Sequence, residues 1–211
     1  MSRQTYNWKR FWCPREGFLD LSDGGYLREP NPEWDKVLTP SLVSFENLID
    51  IPCLILLGEP GIGKSYVMQS EKENLDKTIV DQERKTLWLN LRAYGNENRL
   101  VRNLFETPEF SSWLDGTHTL YVFLDSLDEC LLQIKFVAAL LVDELSKYPT
   151  ERLYLRIACR TADWPNSLEK GLQELWGEKA VRVYELAPLT RNNVTYAANA
   201  NELSPNNLSL I

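Results

Sequence analysis

The sequence is short of several things, and each shortage narrows what it can do. Its four cysteines, Cys13, Cys53, Cys130 and Cys159, are scattered, with no C-x-x-C pair. That spacing argues against a metal knuckle or a disulfide framework and for free, mostly buried thiols in a reducing compartment. No apolar run approaches the ~20 residues needed to span a bilayer. The start, Met1-Ser2-Arg3-Gln4-Thr5-Tyr6, has no apolar core of a secretory signal. Basic charge is scarce too: 23 Lys and Arg against 30 Asp and Glu leave a net charge of −7, which argues against a broad nucleic-acid surface. No internal repeat is visible. These absences predict a soluble, cytoplasmic chain without membrane contact.

What is present suits a full core. Across 211 residues, 44% hydrophobic and 25% charged content fits one α/β domain with an extension. The stretch that organises it is Leu54-Ile55-Leu56-Leu57 followed by Gly58-Glu59-Pro60-Gly61-Ile62-Gly63-Lys64-Ser65-Tyr66. An apolar strand, a G-x-x-x-x-G-K-[ST] loop and a helix follow one another, the context in which that pattern carries chemistry. Glycines let the loop wind tightly, so that successive backbone N–H groups point inward at phosphate oxygens. The helix behind adds the positive end of its dipole. Lys64 would reach the outer phosphates of a nucleoside triphosphate, and the Ser65 hydroxyl would ligate Mg²⁺. The alternative is a glycine-rich turn with an incidental lysine.

Residues 1–44 form an aromatic-rich extension. Trp8-Lys9-Arg10-Phe11-Trp12 and Phe18-Leu19-Asp20-Leu21 read as short strands, and Asp23-Gly24-Gly25 as a hairpin turn. The basic-aromatic cluster around Arg10, with Arg15, is read as strand packing rather than a nucleic-acid surface. A short helix over Leu42–Leu48 leads into the core; Leu42, Phe45 or Leu48 would either wall a base pocket or simply pack.

Over 45–190, strands and helices alternate. After a first helix from Lys64 to about Asn74 come a strand at Thr86–Leu91 and helices at Arg99–Phe105 and Thr107–Leu114, then a strand at Thr119–Asp125. A long helix is expected over Cys130–Lys147, a strand at Arg152–Cys159, a helix at Asn166–Trp176 and a strand at Val181–Leu186. Alternation of this kind predicts a parallel sheet with helices on both faces. Residues 191–211 would begin a helical lid.

Two further motifs carry chemistry. Leu120-Tyr121-Val122-Phe123-Leu124-Asp125-Ser126-Leu127-Asp128-Glu129 is an apolar strand ending in acids. At the carboxyl edge of the sheet Asp125 would hold Mg²⁺ opposite Ser65. Asp128 or Glu129 would orient or deprotonate an attacking water, unless either merely opens the next helix. In Ile157-Ala158-Cys159-Arg160-Thr161, Arg160 stands at another strand end, where a guanidinium pairs with a terminal phosphate or else with Asp163.

Together, Gly58–Ser65, Phe123–Glu129 and Ile157–Thr161 resemble the NACHT class of the signal-transduction ATPases with numerous domains (STAND). The resemblance covers about residues 45–200. It implies a P-loop NTPase fold of the ASCE type, three α/β/α layers around a parallel five-stranded sheet in the order 5-1-4-3-2, with the small N-terminal β-rich extension beside it. It implies an ATP/ADP switch with slow Mg²⁺-dependent hydrolysis and Arg160 as sensor. Self-association through the NTPase core, within a larger antiphage, stress or innate-immune sensor, would follow. Members carry a lid and a winged helix whose histidine touches the nucleotide. Here the single histidine, His118, precedes the third strand, so the chain is expected to be a fragment or a truncated product. The other readings are an AAA-type motor, a P-loop kinase, or a nucleotide-binding interaction module that does not hydrolyse.

Overall fold

Three strands buried on both faces, two half-buried ones and one short aromatic strand make a single mixed sheet. The structure, a computed structural model, describes residues 10–28, 42–78 and 83–200. Its strands are β1 Trp12–Pro14, β2 Cys53–Leu57, β3 Arg84–Asn90, β4 Thr119–Asp125, β5 Leu153–Ala158 and β6 Val181–Leu186. They lie in the order β1-β6-β2-β5-β4-β3. The neighbours β6-β2-β5-β4-β3 pair in parallel, and β1 runs antiparallel to β6. The described helices are α1 Lys64–Thr78, α2 Glu97–Phe105, α3 Pro108–Asp115, α4 Ile134–Leu145, α5 Asn166–Trp176 and α6 Arg191–Ala200.

Alternation along β2 divides the core. Cys53, Ile55 and Leu57 face a cluster with Leu100, Phe110, Trp113, Leu141 and Leu172 from α2 to α5. Leu54 and Leu56 face the opposite cluster, with Val67, Met68 and Leu75 of α1 and with Trp12, Phe45 and Leu48. Both sheet faces are thereby covered, as a parallel sheet requires. The described cysteines are all free, and burial pushes the thiols of Cys53 and Cys159 up to about 12. Among the described residues no helix is long and apolar enough to cross a membrane.

Several expectations are corrected. The sheet is six-stranded and mixed, not five-stranded and all parallel, because Trp12–Pro14 pairs along the outer edge of β6. An open edge exposes unpaired backbone groups, and this segment covers it. Trp12, fully buried, meets the ring of Phe45 edge-on at 6.3 Å. Phe18–Leu21 is not a strand, and Trp8 and Lys9 lie outside the described residues. Helix α1 runs past Asn74 to Thr78, since Leu75 is buried beneath it and Lys72 pairs with Asp76 one turn on. The long helix starts at Ile134 rather than Cys130: Leu127–Glu129 is a 3-10 turn, and the Cys130 thiol and the Leu131 N–H both donate to the Tyr94 carbonyl. Of the lid segment, only residues up to 200 are described.

One interaction sets the position of β2. Arg156, on β5, is 0% exposed. Its Nη1 donates to the Ile51 carbonyl at 2.6 Å and its Nη2 to the Ile49 carbonyl at 2.7 Å. The guanidinium also lies 5.5 Å from the Tyr121 ring centre and 5.6 Å from that of Tyr154. Backbone carbonyls and aromatic faces thus replace the water it has lost. Arg156→Met would leave the part-buried carbonyls of Ile49 and Ile51 without these donors. We expect a loss of about 3 kcal/mol of stability, measured as a lower urea midpoint.

A second consequence concerns Glu71 on α1. Burial and, after it, the nearby charge of Glu46 raise its carboxyl from 4.5 to about 7. The folded state therefore binds the proton more tightly than the unfolded chain, so stability falls as pH rises from 4.5 through about 7. Glu71→Gln is expected to raise the melting temperature by about a degree or two above that window and to leave it unchanged below; thermal unfolding followed across pH measures this.

Candidate functional site

At the carboxyl edge of the sheet, the end of β2 runs into a loop over 58–63 and then into α1. The loop winds tightly because Gly61 and Gly63 have φ of +76° and +101°, conformations that side chains disfavour. Lys64 turns back over it: Nζ donates to the carbonyls of Gly58 and, at 3.0 Å, Glu59. Burial lowers the Lys64 pKa, and the charge of Asp128 works against that lowering.

The next position, Ser65, meets the end of β4. Its Oγ donates to Asp125 Oδ1 at 2.9 Å. Asp125 is 3% exposed, and burial raises its carboxyl pKa against hydrogen bonds from Ser65 and Ser126 and the charge of Arg92. Ser126, at φ 59° and ψ 51°, is the one non-glycine residue of positive φ among those described. The chain bends there, so that Asp128 and Glu129 return toward the end of β5.

There Arg160 receives them. Asp128 accepts from the Arg160 backbone N–H at 3.0 Å, and its other oxygen lies 2.8 Å from Arg160 Nε. Glu129 lies 2.6 Å from Arg92 Nε and 3.6 Å from Arg160 Nη2. The Asp128 side chain is 4% exposed and that of Glu129 33%. Between the loop and these acids opens a cleft of about 330 Å³.

No protein-family model matches the sequence, and no curated protein does. Among solved structures, the chain is similar to Cdc6p from Pyrobaculum aerophilum, with a TM-score of 0.50 at 16% identity, over 86% of this chain and 52% of that one. The fold is that of a P-loop NTPase. Fainter likenesses run to Drosophila ORC bound to AT-rich DNA and Cdc6 (TM-score 0.43, 15% identity, 77% of this chain and 61% of that) and to C. elegans PCH-2 (0.43, 19%, 76% and 45%). The chain thus spans about half the length of the Cdc6p chain it matches.

Most of the residues named from the sequence meet at the P-loop cleft. Pro60, Gly61, Gly63, Lys64, Ser65 and Tyr66 line one side; Asp125, Asp128, Glu129 and Arg160 line the other. Gly58 and Glu59 do not line it and instead offer carbonyls to Lys64. Ile62 packs toward the core on the α1 side. Arg160 makes its ion pairs with Asp128 and Glu129, while Asp163 meets it through a backbone N–H donated to the Arg160 carbonyl. Phe45 and Leu48 are buried in the core on that same side, which suits packing. Arg92 and Ser126 line the P-loop cleft unforeseen. The signal for Arg92 was weak: it stands two residues beyond β3, at the edge where open sheets bind ligands.

Proposed function

We propose that this chain is the ATP/ADP-binding switch module of a STAND/NACHT-type signalling ATPase, a cytoplasmic component of a larger sensor that self-associates through its NTPase core. The observation that carries the reading is the convergence of Lys64 and Ser65 with Asp125, Asp128, Glu129 and Arg160 around one cleft. The NACHT-like part rests on the spacing Asp125-Ser126-Leu127-Asp128-Glu129 and on the Asp128–Arg160 pair, which joins the second motif to the third.

The donors suit Mg²⁺. Ser65 and Asp125 put a hydroxyl and a buried carboxylate 2.9 Å apart at the end of the P-loop, hard oxygen ligands of the kind this cation takes. They would hold the metal, which supplies positive charge to the phosphate oxygens. Backbone N–H groups of the loop and Lys64 bind and orient the phosphate chain. Asp128, nearly buried and held twice by Arg160, positions that arginine toward the terminal phosphate. Glu129, the more exposed acid, takes the proton of the attacking water. Its ion pair with Arg92 has to loosen before the carboxylate can reach a water, which supports slow turnover.

Three variants test this. Lys64→Ala is expected to abolish MgATP and MgADP binding in calorimetry; unchanged affinity would end the reading. Glu129→Gln should retain ATP binding while phosphate release falls at least about tenfold, and Asp128→Asn should weaken discrimination between ATP and ADP. Rapid steady turnover of the unmodified chain would favour a motor instead.

A further inference from the structure

We propose that Arg10 is a positioning residue for the P-loop: it holds the peptide joining Ile62 to Gly63 so that the N–H of that peptide faces the phosphate, and it links the loop to β1 and to the chain leaving β6. The proposal rests on the nucleotide reading of the cleft.

Arg10 lies on the N-terminal segment, far from any phosphate motif, in a cluster that the sequence marks only as basic and aromatic. Its Nη1 donates to the Ile62 carbonyl at 3.0 Å and its Nη2 to the Ala187 carbonyl at 2.9 Å. The Ala187 N–H in turn donates to the Phe11 carbonyl at 2.9 Å. Burial lowers the guanidinium to about 10, so it remains charged at neutral pH. Its Nε is buried with no hydrogen-bond partner among the described residues, leaving the two carbonyls as the contacts that hold it.

A trans peptide points its C=O and its N–H in opposite directions. The carbonyl of Ile62 and the N–H of Gly63 share one peptide. With the carbonyl drawn outward onto Arg10, the N–H is turned to the other side, and Gly63 lines the cleft. Gly63 is confined from both directions: its φ is +101°, and a Cβ there would stand 3.2 Å from Arg10 Nη1. A loop so fixed presents its N–H without first having to reorganise, which favours anion binding. The same guanidinium carries the constraint onward. Fixing Ile62 also fixes Arg10, and through it Ala187, four residues before α6. Because such coupling is reciprocal, an anion in the loop and order at Ala187 stabilise one another.

The test uses the full chain with Arg10→Ala and Arg10→Lys, the latter keeping the charge but not the two-pronged contact. Calorimetry with MgADP and with inorganic tripolyphosphate should show about tenfold weaker binding of both ligands in Arg10→Ala, with partial recovery in Arg10→Lys. Hydrogen exchange supplies a readout that a purely structural role would not move. MgADP is expected to slow exchange over 187–190 in the unmodified chain and to lose that distant effect in both variants. Affinity in Arg10→Ala equal to that of the unmodified chain would overturn the proposal, as would persistence of the distant protection. If Arg10→Ala does not fold, Arg10→Lys decides on the same two measurements. Should the unmodified chain bind no nucleotide, the site reading itself fails. The ligand-free exchange of 58–64 then decides: faster in Arg10→Lys than in the unmodified chain supports the positioning role, and identical rates sink it.

Discussion

Arg156 brings a full charge into the middle of the sheet and gives its hydrogen bonds to backbone carbonyls. Taking a guanidinium out of water costs several kcal/mol unless it is surrounded by acceptors. The acceptors here are the carbonyls of Ile49 and Ile51, with the faces of Tyr121 and Tyr154 beside them. Those carbonyls belong to the short stretch between the 3-10 turn Phe45–Leu48 and β2. Once they are fixed, the start of β2 is fixed, and the P-loop emerges from its other end only five residues later. The geometry of the loop over 58–63 therefore depends on a charge buried toward the other end of the strands, and the register of β2 against β5, with Leu54 opposite Arg156, is the form that dependence takes.

At the carboxyl edge the electrostatic problem is different. The cleft sets the acids Asp125, Asp128 and Glu129 against the cations Lys64, Arg92 and Arg160. The charges are balanced, so on the proposed reading a phosphate chain must compete for cations that already have partners. Lys64 rests on loop carbonyls, Arg160 on Asp128 and Arg92 on Glu129. On the proposed reading, entry of a polyanion loosens these contacts, and Glu129, released from Arg92, becomes free to meet a water. Under the proposed function, binding and rearrangement are then the same event, which is the property a switch needs.

How much of this could be read in the sequence follows from which interactions are local. The parallel strands were legible because β2, β4 and β5 are buried on both faces and are apolar almost throughout, Arg156 on β5 being the exception. The acids and Arg160 were legible because strand ends in such sheets meet at one edge. Helix ends were not: α1 passes through a charged stretch because one leucine beneath it is buried, and α4 starts late because Tyr94, distant in sequence, takes the backbone of Leu131. Arg92 and Arg10 escaped for the same reason. Each acts through a partner dozens of residues away, and neither sits in a pattern with fixed spacing. The antiparallel strand β1 was legible only in part: a strand was expected at Trp8–Trp12, but its extension to Pro14 and its place along the open edge of β6 were not.

Ser126 joins the local and the distant parts of the site. A left-handed conformation costs a residue with a side chain on the order of 1 kcal/mol, and a glycine there would avoid it. The serine is held in place from both sides. Its hydroxyl and backbone N–H bond the Asp125 carboxyl, partly offsetting the burial that pushes that group up. The following residue, Leu127, is 0% exposed and anchors the turn in the core. With the backbone reversed at this one position, Asp125 faces Ser65 while Asp128, three residues on, faces Arg160. An unstrained continuation of β4 would carry both acids past the edge of the sheet, and the halves of the cleft facing Ser65 and Arg160 could not be built from one short segment. The strain at Ser126 is thus a condition of the site, sustained by the burial of Leu127 and the hydrogen bonds to Asp125.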